Sequence, residues 1–309
     1  MQKFKNIICP NTKKNHYYGW YDVIENVKRD LIDINSDVIL DTWLDSILWK
    51  NANKKDYNSK WMGIIHSVEH DYYFGNDNDL HNNTIKTLIS HPFINKNIND
   101  CEGIITLCNH TKKVIENYIN IPVYHTYHPK PKEAFENKFD VKKYMSNPNI
   151  YQSGFHGRNF RKFLDFNTSI RKKMNVYNWW NKKYVQSELE NSNHSIQIEN
   201  RFLNDQDYIL NLTTSIGFSY YYDVAASNAL LEHIVTTTPI IVNKLPAVIE
   251  YIGEKYPMFY ENIKDMPDKY LLNESFINET HQYLIERSKL DIFTINNFKN
   301  DIISFIQQS

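Results

Sequence analysis

Residues Asp223 to Glu261, DVAASNALLEHIVTTTPIIVNKLPAVIEYIGEKYPMFYE, constrain the fold of this chain more tightly than any other stretch. Leu230, Leu231, Ile234 and Val235 recur at helical spacing, and Thr236 to Pro239 end that helix. Ile240 to Val242 is an apolar run too short for anything but a buried strand, and a second helical segment follows it. One such helix–strand–helix step is a unit of a parallel sheet whose faces are both covered, which is why its strand is apolar throughout instead of alternating.

The same alternation runs through both halves. Phe4 to Cys9 reads as a strand, Trp20, Val23, Ile24, Val27 and Leu31 trace one helical face, and Asp37 to Trp43 reads as a second strand. Trp61 to His66, Gly103 to Leu107 and Pro122 to Tyr127 are further strands, with a helix through Val114, Ile115 and Tyr118 between the last two. The pattern lapses over His128 to Pro148, which is rich in proline and charge. It restarts with strands at Asn149 to Gly154, Met174 to Asn178, Ser195 to Ile198, Tyr208 to Leu212, Ile216 to Tyr221 and Pro239 to Val242. Strands alternating with helices predict α/β architecture with parallel, doubly wound sheets. At 309 residues the chain exceeds the usual single core, so the prediction is two Rossmann-like domains, 1–130 and 149–290, joined by a linker at 131–148 and followed by a helix at 291–309. No period of about 20–50 residues marks a solenoid.

Lys and Arg number 35 against 36 Asp and Glu, so the chain lacks the broad basic excess of a protein that lives on nucleic acid or an anionic membrane. No stable nucleic-acid binding or membrane insertion is expected. The chain has no apolar run of membrane-spanning length and its start, MQKFKNIICPNTKK, lacks the apolar core of a signal peptide, so a cytoplasmic location is expected. Cys9, Cys101 and Cys108 match neither a disulfide framework nor a zinc spacing.

The segment LLE…TPII.N.LPA..EY.G, from Leu230 to Gly253, resembles the nucleotide-sugar-binding half of glycosyltransferases with the GT-B fold, the family-4 and family-1-like enzymes. The resemblance implies two Rossmann-like domains facing across a cleft, acceptor on the first and donor on the second, with the last helix crossing back to the first. It implies an enzyme of class EC 2.4 that moves a sugar from a nucleoside diphosphate sugar to a glycan, lipid-linked or protein acceptor, without a metal or other cofactor. In that family a glutamate precedes the one at Glu232. Val224 stands at its position here, with Asp223 one residue before it, so the stereochemical outcome stays open.

Four places carry candidate chemistry. Ser227, Asn228 and Glu232 open a helix whose N-terminus suits a diphosphate, while Glu232, one turn in, accepts ribose hydroxyls; the same residues also make an ordinary capped helix start. GFHGRNFRK, Gly154 to Lys162, follows the first strand of the second half, with Gly154 and Gly157 permitting close approach or positive φ. Its Arg158 and Lys162 are the cations that would take up the charge of a departing diphosphate, or a solvated helix start. NTKKNHYYGW, Asn11 to Trp20, lies in the first strand-to-helix loop, where Gly19 leaves room for a ligand. His66 closes a strand, where the resemblance implies a residue that orients acceptor or sugar and where a plain strand-end histidine is the alternative. With Glu69 and His70 it also spells the H-x-x-E-H zinc-protease motif, which requires both histidines on one face of a helix. Rival readings are a sugar epimerase of the same fold, a DNA-modifying glucosyltransferase, and a scaffold without catalysis.

Overall fold

The computed structural model of the protein describes residues 4–9, 19–48, 57–70, 72–73, 80–81, 84–130, 136–154, 157–176, 185–187, 189–190, 196–199, 201–262 and 266–308. Two five-stranded parallel sheets form its framework. In the first, strands Asn6–Ile8, Val38–Asp41, Lys60–Ile65, Cys101–Thr106 and Val123–His125 lie side by side in chain order. Helix Trp20–Leu31 covers one face with Trp20, Val23, Ile24, Val27 and Leu31, the stripe read from the sequence. The last helix, Ile295–Gln308, joins the same layer through Phe298, Ile302 and Ile306. Helices Ile85–Ile89, Pro92–Asn97 and Asn109–Ile115 cover the other face.

The second sheet is built from Asn149–Gln152, Arg171–Asn175, Ile196–Glu199, Ile216–Ser219 and Ile240–Val242, in the order third, second, first, fourth, fifth. The order therefore reverses between Asn149–Gln152 and Ile216–Ser219, which pair in parallel. Helix Asn228–Val235 packs on this sheet so closely that a methyl group at Gly217 would collide with the His233 ring. Helix Val141–Ser146, within 131–148, packs on the second core through Tyr144, as does the preceding Phe139. Its N-terminal approach is fixed by Phe139 N–H donating to Thr236 O at 2.8 Å.

Two sequence assignments are corrected. Tyr208 to Leu212 is not a strand but the middle of helix Asp205–Thr214. Tyr208, Ile209 and Leu212 are buried while Leu210 is 55% exposed, a helical face that strand alternation would not give. The Asn204 side chain accepts from Asp207 N–H and caps the helix, so the Asp205-Gln-Asp207 triplet starts a helix. The strand read at Met174 to Asn178 is Arg171–Asn175, with 177–178 outside the described residues. Its cations hid it, because Lys172 points inward. Lys172 Nζ donates to the carbonyls of Phe163, Leu164 and Phe166 at 3.3, 2.7 and 3.1 Å, saturating a buried ammonium that would otherwise be costly. Among the described residues no helix is long and apolar enough to cross a membrane.

Candidate functional site

Ligands of open parallel sheets bind beyond the C-terminal strand ends where strand order reverses. In the second sheet that point lies beyond Gln152 and Ser219. The chain leaves the first of these strands through Gly154 at φ 71° and Gly157 at φ 70°, left-handed conformations that favour glycine. Phe155 and His156 lie outside the described residues. A Cβ on Gly154 would stand 2.9 Å from the Arg158 guanidinium, so the absent side chain leaves the space the cation occupies. Arg158 Nε donates to Ser219 Oγ at 3.3 Å, and the guanidinium lies 5.3 Å from the centre of the Tyr221 ring. The two loops are laced together by Asn159 N–H to Tyr220 O at 2.7 Å and Tyr222 N–H to Gly157 O at 3.0 Å. Lys162, on the helix capped by Asn159, sits 5.5 Å over the Tyr220 ring.

Helix Asn228–Val235 opens at the same crevice. Ser227 caps it, accepting from Leu230 N–H at 3.3 Å, and its hydroxyl lies 2.7 Å from Tyr221 Oη. Asn228 is the first helical residue and is half-buried. Asn243 grips the Tyr221 backbone from the next strand end, accepting its N–H at 2.8 Å and donating to its carbonyl at 2.9 Å. One turn in, the Glu232 carboxylate accepts the hydroxyl of Tyr208. Burial raises the Glu232 pKa to about 7 against the opposing effects of that hydrogen bond and of the Arg158 charge. Burial equally drives His233 down to about 3, so it is a neutral packing residue. Gly154, Arg158 and Ser227 are thus linked through Tyr221 at the reversal point, and the Arg158 charge reaches the buried Glu232 carboxyl. Tyr208 was hidden by the mistaken strand; the Asn204 cap followed by acids was the signal that could have found it.

The first-half candidates form a separate cluster. His66 directly follows strand Lys60–Ile65 and lies against Trp20 and Trp43, with ring centres 4.6 and 4.9 Å away. Its Nε2 is 3.1 Å from Thr42 O, and since a carbonyl only accepts, Nε2 carries the proton. Gly19 caps helix Trp20–Leu31 at φ −84°, a conformation open to any residue, and 10–18 lie outside the described residues. The 66–70 segment is not helical, and His70 is turned toward Glu69 and Asp223, each 3.9 Å away, so the two histidines do not form the face a zinc-protease motif requires.

Carboxylates of the second half hold paired backbone N–H groups of the first. Asp223 accepts from Glu69 and His70 at 2.9 and 3.0 Å, and Glu250 accepts from Asn109 and His110 at 2.6 and 2.7 Å, at a helix N-terminus. Tyr251 Oη donates to Leu107 O at 2.6 Å and accepts from His128 N–H at 2.9 Å. The His128 ring, driven to about 4 by burial, packs neutral on Trp20 at 5.0 Å. Asp223 spans the two halves; its partners lie 154 and 153 residues away, beyond any local sequence signal.

No family model matches the chain, and no curated protein matches it. Solved structures do. TarM is similar over 87% of this chain and 54% of its own, at 14% identity and a TM-score of 0.61. Sucrose-phosphate synthase from Thermosynechococcus elongatus is similar over 92% and 76%, at 8% identity and a TM-score of 0.61. The pneumococcal O-GlcNAc transferase GtfA, solved with UDP and GlcNAc, is similar over 88% and 56%, at 8% identity and a TM-score of 0.55. This chain spans about half the length of TarM and of GtfA. Its two parallel sheets are those of the GT-B fold.

Proposed function

We propose that this chain is a glycosyltransferase of class EC 2.4, moving a sugar from a nucleoside diphosphate sugar to an acceptor held by the first half. The observation that carries the reading is the linkage of Gly154, Arg158 and Ser227 through Tyr221, with the Arg158 charge reaching Glu232, where the strand order of the second sheet reverses. In the transfer, the bond from the sugar's anomeric carbon to the diphosphate oxygen breaks and a bond to an acceptor oxygen forms, while the acceptor hydroxyl gives up its proton to an oxygen of the departing diphosphate. The electron pair leaves with the diphosphate. Arg158 and Lys162 take up that charge and need no metal to do so; fixed cations in a dry cleft favour the charge-separated transition state without reorganising. Glu232 accepts the ribose hydroxyls, the helix start at Ser227 and Asn228 faces the phosphates, and His66 orients the acceptor from the opposite side.

The test is a thermal-shift screen of nucleoside diphosphates and their sugars, beginning with UDP because TarM and GtfA have each been solved with it. A ligand at a hundredfold excess over Kd stabilises by about 2.7 kcal/mol. The shift should vanish in Glu232→Ala, and turnover should survive EDTA. A screen in which no nucleoside diphosphate stabilises the protein would refute the reading, and activity lost to EDTA and restored by Mn²⁺ would refute its metal-free form.

A further inference from the structure

Helix Asp205–Thr214 turns Tyr208, Ile209 and Leu212 into an apolar cluster shared with Tyr151, Leu203 and Val235. Phenylalanine at 208 would fill the same space, so the hydroxyl answers to something other than packing. A buried hydroxyl needs a partner. Here the partner is a carboxylate that is itself 4% exposed, because Tyr208 Oη donates to Glu232 Oε2 across 24 residues of chain. Burying a carboxylate is costly even when it is hydrogen-bonded. The neighbours of Glu232 on its helix, Ala229, Leu230, Leu231, Ile234 and Val235, are buried and apolar, so the helix has no packing need for an acid there. Among the described residues Glu232 Oε1 accepts no hydrogen bond. Tyr208 therefore fixes one oxygen of a carboxylate whose other oxygen is uncommitted. Arg158, in the glycine loop, is the cation that acts on this carboxylate. His233, beside it on the helix, is neutral, with Nδ1 3.3 Å from Thr238 O. Burial, the Glu232 charge and Tyr151 on strand Asn149–Gln152 hold Tyr208 well above the usual phenol range, so the proton stays on Tyr208.

We propose that Tyr208 is the positioning residue of the donor site, its hydroxyl holding Glu232 Oε2 so that the carboxylate stays ionised and offers Oε1 to the ribose of the bound nucleotide. This rests on the glycosyltransferase reading. A hydrogen bond to the charged form of an acid favours that form. Burial pushes the Glu232 carboxyl upward, and the Tyr208 hydroxyl is the larger of the two influences that oppose it, ahead of Arg158. Without the hydroxyl a buried carboxylate oxygen loses its donor. The carboxyl then takes up its proton at a higher pH, and a protonated carboxyl keeps less acceptor capacity for a ligand. The phenol itself keeps its proton throughout, so it serves as a fixed donor on a helix whose start is capped by Asn204.

Two titrations of the full chain test this. In protein carrying carbon-13-labelled glutamate, the Glu232 carboxyl resonance, identified by its loss in Glu232→Gln, is followed against pH without ligand in the parent and in Tyr208→Phe. Its midpoint should move upward by about one pH unit or more, the size expected for a hydrogen bond to a charged group. Calorimetry with UDP-glucose should show the same displacement in the pH dependence of affinity, the gap between the two proteins being widest near neutral pH and narrowing above both midpoints. An unmoved midpoint would overturn the proposal. So would an affinity reduced equally at every pH, because a merely structural hydroxyl weakens binding without moving a titration. If Tyr208→Phe does not fold, the Tyr208 Cζ resonance of the parent decides: it should move with the Glu232 midpoint, and a Cζ resonance that stays still there would overturn the proposal. A displaced carboxyl midpoint with no UDP-glucose bound at any pH leaves the Tyr208 contact standing and removes the donor reading, whereas binding with an undisplaced midpoint does the reverse.

Discussion

In the first sheet the strands run in chain order, and the groups at two of their C-terminal ends are Trp43 and His66, whose backbone N–H groups are held by buried aspartates. In the second sheet the order reverses between the first and fourth strands, and the groups at that point are two positive-φ glycines, an arginine and a carboxylate poised near neutrality. The layers are alike, parallel strands covered on both faces, yet the ends present different groups. Reversal parts the two flanking connections, which is where ligands of open parallel sheets bind. Layer architecture therefore does not assign chemistry here; strand order and the residues at the strand ends do.

The comparison breaks most readily at Arg158. Arg158→Ala should weaken UDP binding by about 1.5–3 kcal/mol, the range for a hydrogen bond to a charged group, while His66→Ala should leave UDP affinity unchanged and reduce turnover. Equal losses of UDP affinity in both, measured by calorimetry, would erase the division between the halves.

A second effect sharpens it through pH. Glu232 is raised by burial to about 7, and the proposed contact with ribose hydroxyls is strongest to its ionised form, since a protonated carboxyl keeps less acceptor capacity. Affinity for UDP-glucose, which carries no phosphate group titrating in this range, should thus rise about tenfold from pH 6 to pH 8 and level off above. The same group contributes stability that is present below its unfolded pKa near 4.5 and is lost as pH rises through about 7. Both slopes should disappear in Glu232→Gln. A slope that persists there would show that the titrating group is elsewhere.

The smallest expected effect concerns the join. Tyr251→Phe removes the hydroxyl that links Leu107 O to His128 N–H and should cost about 1 kcal/mol or somewhat more in denaturant unfolding, with UDP affinity unchanged. A variant whose UDP affinity falls would mean that the two halves share the donor.

The sequence carried the local elements of both halves and lost those that depend on distant partners, for a physical reason. Leu230 to Val242 forms a helix, turn and strand from neighbours in the chain, so periodicity reads it directly, and Ser227 does cap the helix. Gly154 and Gly157 were legible because their left-handed backbone leaves a compositional trace. Tyr208 was missed because Tyr208-Ile-Leu210 looks like a strand until Leu210 is found outside. Lys172 hid a strand because a cation reads as solvent-facing unless its three carbonyl partners are known. Asp45, Asp223 and Glu250 act on backbone groups brought near only by the fold, and no local pattern encodes such contacts.

Hydrogen exchange measured by mass spectrometry, with and without saturating UDP, tests the central claim most directly. Protection should rise over 157–162 and 219–235, the loops and helix start at the reversal point of the second sheet, and stay unchanged over 42–48 and 66–67 in the first. Protection confined to the first-half segments, or absent from 157–162 and 219–235 at demonstrated saturation, would contradict it.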